Sequence, residues 1–305
     1  MKIFDAHCDM LLKLWLDPSI NPWDGSGLHT NLKKLTEIHA KIQCLAIYIP
    51  PTLPADQQFG AALAQIRILN ELILKPYPQF KLLTSKEQID NLKNAEIGII
   101  LSLEGCDCIG NQLDRVSLLQ EHGVRIYNLT WNYANLFADG ALEKRDAGLS
   151  LLGKSLVNSL NKQKAWIDVS HLGERSFWDV LEAGEHVAAT HSNAYSLRPH
   201  PRNLRDSQIM ALIKRDAPIG ITFVPDFIGE NPSISLLLHH LEHICSLGGE
   251  KNAGLGSDFD GISDTVPGLS GYEQYDNLLN EIYKRYPANV ARGIAFHNFA
   301  SRIPF

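Results

Sequence analysis

No apolar stretch in this chain of 305 residues approaches the roughly 20 that a membrane-spanning helix requires, so no membrane partner is expected. Basic residues form no run or stripe. The 28 Lys and Arg are outnumbered by 34 Asp and Glu, which leaves a formal charge of −6. Such a surface does not collect phosphates, so nucleic acid is not expected as a partner either. No basic leader with an apolar segment precedes the first apolar residues, and the ending IAFHNFASRIPF lacks the apolar tail of a lipid-anchor signal. A cytoplasmic location is the expectation. The cysteines number only five, an odd count at irregular spacing that suggests reduced thiols rather than a disulfide framework. Cys106 and Cys108 read as small buried residues rather than a redox or metal pair. There is no repeat, no low-complexity segment, and no glycine-rich dinucleotide turn after the first strand, which weakens the case for an open doubly wound sheet.

What is present is a regular alternation. The composition is 45% hydrophobic, enough for a large core. Short apolar runs at the N-terminus and at 44–50, 97–105, 124–132, 165–171, 186–192, 218–225 and 253–261 read as strands. Between them lie stretches with helical spacing, for example Phe59, Leu63, Ile66, Leu69 and Ile73. Thr84 with Glu87 fits a capping box for another helix. Residues 15–32, with Pro18, Pro22, Gly25 and Gly27, read as loop. Continuous apolar strands belong to parallel sheets covered on both faces. Eight βα units in this length predict a closed (β/α)₈ TIM barrel, one catalytic domain over 1–305.

The polar residues at the strand ends carry the chemistry. His7 and Asp9 follow the first strand, where two-residue alternation would turn both to one face; Glu104 ends the third, His171 the fifth, His191 the sixth and Asp258 the eighth. In such a barrel all these ends meet at one mouth, where active sites are built. Three imidazoles and the carboxylates of Asp9 and Glu104 form a nitrogen and oxygen donor set suited to zinc or another divalent first-row ion. Five ligands exceed what one open catalytic site takes but suit two ions if one carboxylate bridges them. Arg202 lies in a loop after the sixth strand, where a guanidinium fork would suit a substrate carboxylate. Arg198 and Arg205 are near it in sequence, and position alone does not choose among the three.

The motifs DAHCD, LSLEG, GVRIYNLTWN, DVSH, ATHSNA, HPRNL and GLGSDFDG run in order from residue 3 to about residue 302. In that order and spacing the chain resembles the renal or membrane dipeptidase family of zinc metallopeptidases, in its soluble bacterial type. The resemblance implies two zinc ions, one held by His7, Asp9 and Glu104, the other by Glu104, His171 and His191, with Glu104 bridging. It implies that Arg202 binds the C-terminal carboxylate of a dipeptide, that Asp258 shuttles the proton, and that a metal-bridging hydroxide attacks the peptide bond. Relatives often accept a D-residue at the C-terminal position.

The chain departs from the family at Trp131, where many members carry a histidine. Trp131 or Asn132 would then supply a hydrogen bond to the substrate, unless a zinc ion polarises the carbonyl alone. Two other readings are another binuclear amidohydrolase, such as a deaminase or lactonase, and a metal-binding scaffold without activity. HPRNL and the H-x-D start favour the dipeptidase, and the full ligand set favours an active enzyme. Homodimer assembly is left open. Of the remaining polar residues, His239, His240 and His243 read as a solvated helix face, and Asp5 and Asp260 as supports for ligands. His297, Asn298 and Arg302 read as a structural closure at the C-terminus.

Overall fold

The structure, a computed structural model, describes residues 2–38 and 40–305. Its strands are β1 (Phe4–Asp5), β2 (Ile42–Tyr48), β3 (Phe80–Leu82), β4 (Ile97–Glu104), β5 (Val124–Asn128), β6 (Trp166–Asp168), β7 (Val187–Ala188), β8 (Ile219–Ile221) and β9 (Ala253–Leu255). All ladders are parallel. Eight strands follow one another in the order β7-β6-β5-β4-β2-β1-β9-β8, while β3 pairs with the start of β4 off that path. The ring is completed between β7 and β8 by a single bridge, Ala189 to Ile219, with Gly220 N–H donating to Ala189 O at 2.8 Å. This is the expected (β/α)₈ barrel, with one extra short strand.

Alternation along the strands sorts the core. Phe4, Ala6, Ile42, Cys44, Ile100, Ile126, Trp166 and Ala188 form one buried cluster with Phe299 and Ile303 of the C-terminal segment. Phe299 stacks on Phe4 at 5.2 Å and meets Trp166 edge-on at 5.9 Å, so the chain end plugs this cluster. Asn298 and Arg302 also serve the closure, Asn298 by donating to Ala253 O at 2.7 Å and Arg302 by donating to Asp216 O at 2.8 Å. The alternate residues, such as Leu45, Ile47, Leu101, Leu103 and Ile167, pack in a second cluster with helix residues such as Leu156, Val180 and Leu212. The barrel is thus filled by side chains and carries no pore.

Several expected boundaries shift. The strands after β4 pair over fewer residues than their apolar runs suggest, because segments beyond the ladders, including Val169, Leu172 and Phe223, are buried under the mouth loops. Residues 15–32 are not wholly loop, since a helix runs over Met10–Leu16 directly after Asp9. The capping pair is not Thr84 with Glu87 but Ser85 with Gln88, one residue later. Gln88 Oε1 accepts from the backbone of Thr84 and Ser85, and Lys86 N–H is held by Phe305 O, which sets that start. His240 does not lie on a solvated face. It is buried, accepting from Ala194 N–H at 3.1 Å and bonding Ile228 O at 3.1 Å through its other nitrogen. Its stem joins the helix Ile234–Ile244 to the loop after β7. His243 is part-buried against Asp206 at 2.8 Å.

Candidate active site

The strand registers place Tyr48 beside Glu104, Glu104 beside Asn128 and Asn128 beside Asp168, one layer around the mouth. Glu104 closes β4, while His171 and His191 lie in the turns just past β6 and β7. His7 and Asp9 follow β1, but strand alternation is not what brings them together, because Asp9 sits at the N-terminus of the Met10–Leu16 helix. A local zipper holds the first and last site segments side by side. Cys8 bridges Phe259, Asp9 N–H donates to Phe259 O at 2.9 Å, and Asp258 N–H donates to His7 O at 3.2 Å. Asp258 and Asp260 hold φ of 64° and 67°, the left-handed region that aspartate tolerates better than most residues. Asp5 accepts from the backbone of Ser257 and His7, and Asp260 from the backbone of His29 and Thr30, so both support the site segments from behind.

All five expected ligands and Asp258 converge. His7 Nε2 lies 3.3 Å from Asp9 Oδ2, 3.5 Å from Glu104 Oε2 and 3.8 Å from Asp258 Oδ1. His171 Nε2 lies 2.8 Å from Glu104 Oε1 and 2.8 Å from His191 Nε2, and His191 Nε2 lies 3.9 Å from Glu104 Oε1. The far side of each of these two rings is committed. His171 Nδ1 meets Asn132 Oδ1 at 2.9 Å, and His191 Nδ1 meets Thr190 Oγ1 at 2.7 Å. Asn132 Oδ1 can only accept, and the Thr190 hydroxyl gives its own hydrogen to Asp168, so both Nδ1 atoms carry the proton. With those tautomers two Nε2 lone pairs face each other and a carboxylate oxygen, an arrangement that a bound cation would satisfy, and imidazoles held from behind by hydrogen bonds to their other nitrogen are how metal ligands are oriented.

The charges agree. Burial pushes His7 down, but Glu104 and Asp9 together hold it well above the usual histidine range. Burial and repulsion from Glu104 push Asp9 well up, and the same two causes raise Asp258 against the pull of His7. Burial, with Arg202 nearby, brings His171 down to about 4. Donor groups within 4.8 Å of one another form two overlapping sets, His7, Glu104 and His191, and His7, Asp9 and Asp258. His7 Nδ1 and Asp9 Oδ1 are buried without a hydrogen-bond partner among the described residues. The carboxylates of Asp9, Glu104 and Asp258, with the imidazoles of His7, His171 and His191, make a nitrogen and oxygen donor set that fits divalent ions.

Of the three nearby arginines, Arg202 faces the site. It is buried, its Nη2 donates to His191 O at 3.4 Å, and its Nε and Nη1 have no partner among the described residues. Its guanidinium stands 5.5 Å from the Phe227 ring. Arg205 pairs with Glu174 at the surface, and Arg198 donates to Asp226 O. A cavity of about 320 Å³ joins these groups, lined by Asp9, Glu104, His171, Arg202 and Asp258, by Trp131 and Asn132, and by Leu12, Tyr48, Val224, Phe227 and Ile262. Sequence reasoning missed Asp168, which holds Thr190, Ser170 and Asn128 in one network behind the imidazoles. Its place two residues before Ser170 in DVSH was the available clue. His200, which sequence left without a role, accepts from Arg202 N–H at 3.2 Å and packs on Phe227 with the rings tilted by 33°.

A parallel barrel with imidazoles and carboxylates gathered at its mouth defines the class of metal-dependent barrel hydrolases. The sequence matches the family described as Membrane dipeptidase (Peptidase family M19) over residues 1–302, so the chain belongs to that family and is a metallo-dipeptidase. It is similar to an uncharacterized protein from the pqqA 5′ region of Klebsiella pneumoniae, 31% identical over 74% of this chain and 94% of that one. It is 29% identical to an uncharacterized dipeptidase of Schizosaccharomyces pombe over 93% of this chain and 75% of that one. Among solved structures it is similar to a metallo peptidase from Rhodobacter sphaeroides liganded with a phosphinate mimic of the dipeptide L-Ala-D-Ala. That match has a TM-score of 0.93 and 25% identity, covering 99% of this chain and 98% of the other. A dipeptidase described as a metallo peptidase of family M19 superposes equally well, TM-score 0.93 at 27% identity, over 100% and 99%. Among the described residues no helix is long and apolar enough to cross a membrane.

Proposed function

We propose that the chain holds two zinc ions, His7, Asp9 and Glu104 binding one and Glu104, His171 and His191 the other, and cleaves dipeptides, including those with a D-residue at the C-terminal position. The observation that carries this is the pair of imidazole Nε2 atoms turned toward Glu104 at 2.8 and 3.9 Å, each ring held from behind through its Nδ1. Glu104 presents its second oxygen to His7, which supports the bridging role. When bound, the ions would supply Lewis acidity and a water of lowered pKa. The chain's own groups do the rest. Nε and Nη1 of Arg202 donate to the substrate's C-terminal carboxylate, which fixes the register of the peptide bond and restricts the site to short peptides. Asp258 carries a proton from the attacking water to the leaving nitrogen. Trp131 and Asn132 line the same cavity and complete the substrate contacts. Asn132 Oδ1 is taken by His171, so its amide N–H is the group left to donate. Acceptance of a D-residue is supported by the phosphinate mimic of L-Ala-D-Ala liganded to the Rhodobacter sphaeroides relative. The five cysteines are free thiols, which supports a cytoplasmic setting.

The test is a panel of L,L- and L,D-dipeptides given to the zinc-loaded protein. Release of free amino acids from either series is the expected outcome. Full metal loading with no dipeptide cleaved, or turnover of amine or lactone substrates instead, would overturn the reading.

A further inference from the structure

The two sides of the mouth cavity are chemically unlike. In the ring β7-β6-β5-β4-β2-β1-β9-β8, strands β2 and β4 stand across the barrel from β7 and β8. Arg202 and Phe227 come from the loops after β7 and β8. Tyr48 ends β2, and Trp131 follows β5. Their rings meet edge-on, 5.4 Å between centroids at 64°. Tyr133 also meets Trp131 edge-on, at 6.3 Å between centroids. Leu12 and Ile262 line the cavity as well, and neither they nor the two rings bring a charge. The Trp131 ring stands 6.5 Å from that of His171, beside the reacting centre rather than remote from it.

We infer that this aromatic wall receives the side chain of the dipeptide's N-terminal residue, and that the enzyme prefers a large apolar or aromatic residue there. The inference rests on the reading that Arg202 holds the carboxylate at the opposite side. With the carboxylate on Arg202 and the peptide carbonyl at Glu104 and His171, the substrate runs away from β7 and β8. Its first residue then lies against Trp131 and Tyr48. An aromatic side chain gains edge-to-face contact there. An acidic one is desolvated against two rings and also meets Asp9, Glu104 and Asp258.

The experiment measures kcat/KM for the zinc-loaded enzyme on Phe-, Leu-, Gly- and Asp-Ala dipeptides, using whichever C-terminal chirality the native protein cleaves. The native enzyme should favour Phe and Leu over Gly and Asp by ~10–100-fold, the discrimination an apolar pocket supplies. In Trp131→Ala that ratio should collapse to within about threefold, while Trp131→Phe, which keeps the ring and loses the N–H, should retain most of it. Preference among C-terminal residues, read with the first residue fixed, should stay the same in both variants. A flat first-residue profile in the native enzyme would overturn the inference. So would a Trp131→Ala loss equal for all first residues, or a change confined to the C-terminal position. Failure of the native enzyme to cleave any dipeptide would instead remove the reading of the site on which the inference rests.

Discussion

At the scale of single residues, the site's charged groups were legible in the sequence because each stands alone at the end of an apolar run, where burial must have a chemical reason. Asp258 shows how far this goes. It lies among the ligands, 3.8 Å from His7 Nε2, yet five other side chains already fit the metal role. Asn has its shape but cannot cycle between base and acid. Asp258→Asn is expected to keep two zinc ions and lose about 10²–10⁴-fold in kcat, with KM moving less. Steady-state kinetics beside metal analysis checks this; near-native kcat excludes Asp258 from proton transfer, and loss of metal makes it a ligand. Arg202 was chosen among three arginines only by the HPRNL motif, and its burial and free nitrogens now separate it from Arg198 and Arg205. Arg202→Ala should cost cleavage of free dipeptides the equivalent of roughly 2–5 kcal/mol, while dipeptide amides, poor for the native enzyme, change little. Equal losses on acid and amide would make Arg202 structural. The supports Asp5 and Asp260 could be read because they lie two positions from a site residue, and Asp168 had only the DVSH spacing as a clue, whereas the grip of Thr190 on His191 and of Asn132 on His171 depends on contacts made in three dimensions. His240 failed for a related reason: its two partners come from the loop after β7 and from Ile228, remote from it in sequence.

At the scale of elements, the alternation of apolar runs and amphipathic stretches gave the eight principal strands, since burial on both faces is a composition signal. Where each ladder stops was hidden, because the mouth loops are as buried as the strands they follow. The seam between β7 and β8 shows the kind of detail that remains. A Cβ on Gly256 would lie 1.8 Å from Thr190 O, and one on Gly220 would lie 2.1 Å from it. These glycines let the closing strands approach the residue that orients His191. Gly256→Ala should therefore destabilise by at least about 1–3 kcal/mol through overpacking, and also weaken metal binding. Gly60→Ala, in the helix Ala55–Ile68 with nothing within 4 Å of the new methyl, is the control and should be neutral or stabilising by up to about 1 kcal/mol. Thermal melts of the two variants decide it; a Gly256→Ala protein as stable as the native one would show that the seam relaxes freely.

At the scale of the whole molecule, the barrel brings six polar residues from strand ends spread over 250 positions to one point, and its filled interior leaves the mouth as their shared exit to solvent. The C-terminal segment belongs to the same construction, since Phe299 and Ile303 plug the cluster inside the strands that carry the ligands. Metal binding should accordingly stabilise the entire fold rather than a loop, because the ligands tie together β1, β4, β6 and β7. The most direct measurement of the central claim is a zinc titration of chelator-treated protein, following dipeptide cleavage and bound metal together. Cleavage should be absent without metal and reach its plateau at two zinc ions per chain, and Glu104→Gln should weaken both sites at once. A plateau at one ion that Glu104→Gln leaves unchanged, or cleavage by the metal-free protein, would contradict the account.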